Sequence, residues 1–272
     1  NFIGLAPDGS AAGNNIGVRV NRVTATVGGS APADRNVISA NALQGVQFTG
    51  AGVAGSSVLG NYIGTAPSGT STGGMQAVGV QMSSLAATGV VVGGDTPNRI
   101  AFNGSGILVD TGSRAHVLYA NEFLSNAQLA IDLSDGLGID GTTPNDADDT
   151  DAGGNDLQNF PVLSRAAQDG PVMHLAGVLD VISGNTSADY VLAFYANAAC
   201  ANGARGQGEI YLGHATASLS GASQEFIVDL PASAPLGSFI AATATGVGGT
   251  SEFSTCVTLV AGDRIFADGF DP

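Results

Sequence analysis

Three residues in one short stretch, Asp110, Arg114 and His116, carry the side-chain types of acid–base chemistry. Asp110 and His116 could form an acid/base pair, with Arg114 between them. Cleavage of a glycosidic bond usually needs two carboxyl groups at a defined separation. Elimination instead needs a basic residue that takes a proton. The chain has no Lys, and the combination of paired Asp, Gly-His-Gly and Arg-x-Lys does not occur. The competing reading of the trio is ordinary loop chemistry.

A second set is acidic. Asp132, Asp135, Asp140, Asp146, Asp148, Asp149, Asp151 and Asp156 follow one another with no base between them. Carboxylates at alternate positions in a Gly-containing loop can converge on a hard cation, so Asp146, Asp148 and Asp151 are candidate Ca2+ ligands. The alternative is a solvated linker whose charge serves solubility. Arg35 and Arg99 hold similar places in two copies of a repeat and could line a glycan-binding strip. They could equally bond loop carbonyls or pair with a nearby acid such as Asp34 or Asp95. His174 and His214 lack metal-ligand spacing and read as structural. Cys200 and Cys256 are the only cysteines, and a matched pair predicts a disulfide and an oxidising compartment.

The elements that must position these residues are repetitive. Residues 61–69 (NYIGTAPSG) copy residues 1–9 (NFIGLAPDG). Each copy leads to a Gly-Val strand, a Val-Gly-Gly turn and a step ending in Asn. The Gly-Val strands begin at Gly17, Gly45, Gly79 and Gly106. Alternation puts Val18, Val46, Val80 and Ile107 on one inward face. Strands this short cannot stand alone and must pair with their counterparts in adjacent coils. Asn41, Asn61, Asn103 and Asn121 fall where the chain must bend, and stacking would make an amide ladder. About five coils follow from this spacing. The copy at Asn1 starts midway through a coil, which predicts further coils upstream.

Beyond residue 165 the repeat gives way to alternating strands with Gly, Asn and Pro turns, the pattern of a small immunoglobulin-like β-sandwich. The predicted organisation is a parallel β-helix over 1–140, an acidic Gly/Asp-rich linker over 141–165, a sandwich over 166–261 and a tail over 262–272.

Composition narrows the function. Only 11% of the 272 residues are charged, Gly occurs 41 times and the net charge is −15. An acidic chain without a basic patch is a poor ligand for nucleic acid or anionic lipid. No apolar run is long enough to span a membrane. The motifs RNVISAN at 35–41 and GNYIGT at 60–65 resemble bacterial secreted right-handed β-helix repeat proteins. The Cys-Ser-Leu-Arg-Glu-Ala segment of some of those proteins is absent, so the likeness is to their C-terminal portion. It covers roughly residues 1–165 and implies an all-β, pectate-lyase-like right-handed parallel β-helix with an appended sandwich. It also implies a secreted or cell-surface location. The function expected is non-catalytic: adhesion, glycan contact or envelope scaffolding, with carbohydrate or cell-surface components as partners. The alternative is a polysaccharide lyase or glycoside hydrolase whose groove lies partly in preceding coils.

Overall fold

The computed structural model describes residues 1–83, 87–181, 188–200, 205–219 and 222–262. The chain is all-β, with three short 3-10 turns and no α-helix among the described residues. The predicted tail from 262 lies outside them, apart from its first residue.

The N-terminal half forms three parallel sheets. The first takes Phe2–Ile3, Val37–Ile38, Tyr62–Ile63, Arg99–Ala101 and Glu122–Leu124, in that order. The second takes Ile16–Asn21, Gln44–Thr49, Val78–Ser83, Ser105–Val109 and Ile131–Leu133, and the third Thr26–Gly28, Ser57–Leu59 and Val91–Val92. Successive stretches of chain thus add one tier at a time. Register puts like on like. Val18, Val46, Val80, Ile107 and Ile131 form one column. Ile3, Ile38, Ile63, Ile100 and Phe123 form another in the first sheet. Val46, Val80 and Ile107 are fully buried, and Val18 packs partly buried against the same core. The expected inward face is therefore present in register.

The glycine at the second position of the first four strands of the second sheet is required by close approach. A Cβ on Gly17, Gly45, Gly79 or Gly106 would lie 2.4–2.7 Å from a carbonyl oxygen of the next tier. Strands can stack there only if those positions stay bare.

The asparagines form two ladders, not one. In the first, the Asn36 amide donates to Asn61 Oδ1, the Asn61 amide to Asn98 Oδ1 and the Asn98 amide to Asn121 Oδ1, at 2.9–3.2 Å. In the second, Asn41 donates to Gln76, and Asn103 to Asn126. Asn41 and Asn103 therefore belong to one corner, and Asn61 and Asn121 to the other. These side chains are buried and serve backbone groups that the sharp bends leave without strand partners.

The C-terminal half is two sheets, mostly antiparallel. One orders Ser223–Leu230, Val172–Asp180, Val162–Asp169 and Val260–Ala261. The other orders Ile210–Leu219, Ala188–Asn197, Phe239–Gly246 and Gly249–Thr250, with Val257–Thr258 also on Phe239–Gly246. Cys200 and Cys256 are disulfide-bonded with Cα atoms 6.4 Å apart. Two features differ from the sequence reading. Val162–Asp169 is already a strand, ahead of the boundary at 166. Residues 153–161 are packed rather than loosely solvated: Asn155, Gln158 and Asn159 are buried. Asn155 Nδ2 donates to the carbonyls of His116 and Thr250, tying the two halves together.

The last tier is covered by the antiparallel half. The Ala120 amide donates to the Tyr195 hydroxyl, Phe123 to the Gly208 carbonyl and Leu133 to Glu252 Oε1. Tyr195, Ala241 and Phe253 enter the core of the parallel sheets.

Asn61→Ala tests the first ladder. It would leave the buried Asn36 backbone N–H and side-chain amide without their Asn61 Oδ1 acceptor. The expected loss is about 1–3 kcal/mol for each stranded group, read as a lower denaturation midpoint. A loss below about 0.5 kcal/mol would show that other groups replace the ladder.

Candidate functional site

The loop trio does not converge. Asp110 is buried at the end of Ser105–Val109 and accepts from Gln81 Nε2 and the Gly138 amide, both at 2.9 Å. It ends a polar row on the outer face of the second sheet: Arg19 donates to Gln47, Gln47 to Gln81 and Gln81 to Asp110. His116 is fully buried. Its Nδ1 accepts the Val90 amide, which places any proton of the neutral ring on Nε2. Burial pulls the imidazole down to about 4, so it stays neutral near pH 7. Its backbone carbonyl takes the Thr250 amide. Arg114 is exposed and lies 3.7 Å from Asp156. An acid and a base that share no open surface cannot act together on a bound chain.

Arg35 and Arg99 are likewise engaged. Arg35 donates to the Gly60 carbonyl and lies over the Tyr62 ring at 4.2 Å. Arg99 pairs with Glu122 at 2.7 Å and bonds the Gly69 carbonyl. Register aligns Arg99 with Tyr62, and Tyr62 with Val37, so the two arginines are two positions out of step. The nearby acid is Glu122, from the adjacent tier, rather than Asp95.

The acidic loop does gather carboxylates, with one change of membership. Asp146, Asp149 and Asp151 bring one oxygen each within 4.8 Å of the others. Asp148 is not in the group; its amide bonds Asp180. A 3-10 turn over Ala147–Asp149, with φ of 65° at Asp148, directs Asp149 inward. Simple alternation along the loop cannot anticipate that turn. The Asp149 carboxylate accepts from the Asn159 amide and from Gln158, both at 2.8 Å. Burial first, and then the charges of Asp146 and Asp151, push it up to about 7. One buried oxygen of Asp146 and one of Asp151 have no hydrogen-bond partner. Two vacant acceptors beside a third carboxylate fit a hard, oxygen-seeking cation such as calcium.

Two buried acids, Asp132 and Glu252, lie at the joint between the halves. Asp132 is fully buried on the face away from the core, next to the Asp140 carboxyl and the backbone of Asp140 and Gly141. Burial, reinforced by Asp140, raises it to about 7. Glu252 accepts the Leu133 and Thr143 amides, and burial raises it to about 8. In sequence Asp132 is one acid of a run and Glu252 has no distinguishing neighbour, because what sets both apart is burial.

A cleft of about 590 Å³ lies at the same joint, lined from one half by Asp95, Tyr119 and Glu122 and from the other by Ile210, Tyr211 and His214. Comparison with family models and with curated proteins finds no match to this chain.

Two outcomes follow. Millimolar calcium is expected to raise the melting temperature by mass action on the folded state. Asp149→Asn should remove the rise and Asp148→Asn should keep it; the reverse pattern would reject the geometry. The buried acids give a second. Asp132, Asp149 and Glu252 hold protons when folded that the unfolded chain releases, so stability falls as pH rises from their ordinary values near 4 through about 7–8. His116 acts oppositely, but only between about 4 and 6.5. Above pH 6.5 the carboxyls alone remain, and the melting temperature should drop towards pH 8. Asp132→Asn should flatten that drop; an unchanged slope would show that Asp132 is not the source.

Proposed function

We propose that the parallel sheets wind as a right-handed parallel β-helix of five tiers, that the antiparallel half is an immunoglobulin-like sandwich closing its end, and that the chain is a non-catalytic exported or cell-surface protein making glycan contacts or scaffolding an envelope. The observation that carries the non-catalytic reading is the state of Asp110 and His116: both are buried and bound to fold partners. The disulfide supports export, since reducing compartments keep thiols apart. No helix among the described residues is long and apolar enough to cross a membrane.

The test offers the chain a panel of neutral and acidic polysaccharides. New reducing ends and the ultraviolet absorbance of unsaturated uronates are followed with time. No product above the buffer control is expected. Product that disappears in Asp110→Asn or His116→Ala would overturn the proposal and favour a lyase or hydrolase.

A further inference from the structure

We propose that the cleft between the last parallel tier and the antiparallel half is a binding site for a neutral oligosaccharide. This deepens the glycan-contact reading by giving it a place and a class of ligand.

The cleft's volume of about 590 Å³ lies in the range of small-molecule sites. Its walls combine the two surfaces that a sugar ring needs. Tyr119 and His214 meet edge to face, with ring centroids 5.7 Å apart, and Ile210 is an exposed apolar neighbour. Sugar C–H faces pack on such rings, while sugar hydroxyls need donors and acceptors at the rim. The Tyr211 hydroxyl lies 2.7 Å from His214 Nδ1. With that hydroxyl donating, the other ring nitrogen carries a proton and is a donor. Asp95 and Glu122 supply carboxylate acceptors, Asp95 on an exposed turn.

The aromatic wall is held before any ligand arrives. Tyr211 packs on Tyr195 at 5.4 Å between centroids. Tyr195 is fully buried, and its hydroxyl accepts the Ala120 amide at the base of the cleft. A wall fixed in this way loses little side-chain freedom on binding. The lining holds two carboxylates, Asp95 and Glu122, and no Arg, and Arg99 already occupies Glu122. With a net charge of −15 on the whole chain, the site repels uronates, sulfated sugars and phosphates. That charge is the reason to name a neutral chain.

The experiment uses the whole chain. The chain has no Trp, and two of its five tyrosines, Tyr119 and Tyr211, line the cleft, so tyrosine emission follows binding and the NMR signals locate it. Cellohexaose, xylohexaose, laminarihexaose and maltohexaose are titrated separately, with oligogalacturonate as the acidic comparison. At least one neutral hexaose is expected to bind, moving the backbone NMR signals of Gly94, Tyr119 and Tyr211, while oligogalacturonate does not. His214→Ala and Asp95→Asn change exposed residues and should leave the melting temperature alone. Each should weaken binding by about tenfold, the worth of one good hydrogen bond. The site is overturned if no neutral hexaose binds at millimolar concentration, if oligogalacturonate binds as well, or if both variants bind unchanged. Signal shifts confined to the outer faces of the parallel sheets would overturn the cleft while leaving glycan contact standing. Cleavage of a hexaose would contradict the non-catalytic reading, and the two variants would still decide the cleft.

Discussion

A stack of parallel strands has an end, and the end must be closed. Each tier takes its backbone partners from the tiers on either side, so the last has donors, acceptors and apolar side chains facing nothing of its own kind. In this chain the antiparallel half supplies what is missing. Thr250 donates its amide to the His116 carbonyl, and its hydroxyl oxygen accepts the Leu118 amide. Gln207 reaches the carbonyls of Asn126 and Gln128, continuing the second amide ladder by one more step. Phe253 meets Phe123 and Tyr195 edge to face, which carries the apolar column of the first sheet into the second half. The joint is therefore built like another tier, with side chains standing in for strands.

That constraint explains where the unusual groups sit. Asp132, Glu252, His116 and Asn155 all lie at or beside the joint, and all are buried. Burial of a polar group is tolerated where it answers a backbone group that has no regular partner. Glu252 and Asn155 do so directly. His116 does so through Nδ1, although its Nε2 has no partner. Asp132 lies next to the Asp140 carboxyl and the backbone of Asp140 and Gly141. The cleft follows from the same geometry, because a sheet laid against the rim of a stack leaves a gap at its edge.

The parallel register was legible because it is written in repetition. Gly17, Gly45, Gly79 and Gly106 recur for a steric reason, and the residues after them alternate as strands require. The asparagine role was legible too, but not the division into two ladders. Asn36 and Asn98 stand at the beginnings of the Asn-bearing steps, and the spacing of the step ends does not point to them. The disulfide pair needed only a count of two. What spacing could not supply was direction. Alternation chose Asp148 over Asp149, and one turn with positive φ reverses the choice. Proximity in sequence grouped Asp110 with His116, while one faces the outer polar row and the other faces Val90. Residues of the cleft, such as Asp95 and Tyr211, lie far apart in the chain and meet only when the halves dock.

If the docked half completes the stack, the two cannot open separately at little cost. Native-state hydrogen exchange measures this at the amides of Ala120, Phe123 and Leu133, whose partners are Tyr195, Gly208 and Glu252. Their opening free energies should equal those of Ile107 within the parallel core and Phe194 within the antiparallel core. Exchange of the three joint amides through an opening several kcal/mol easier than either core would show two independent bodies, and would contradict the account.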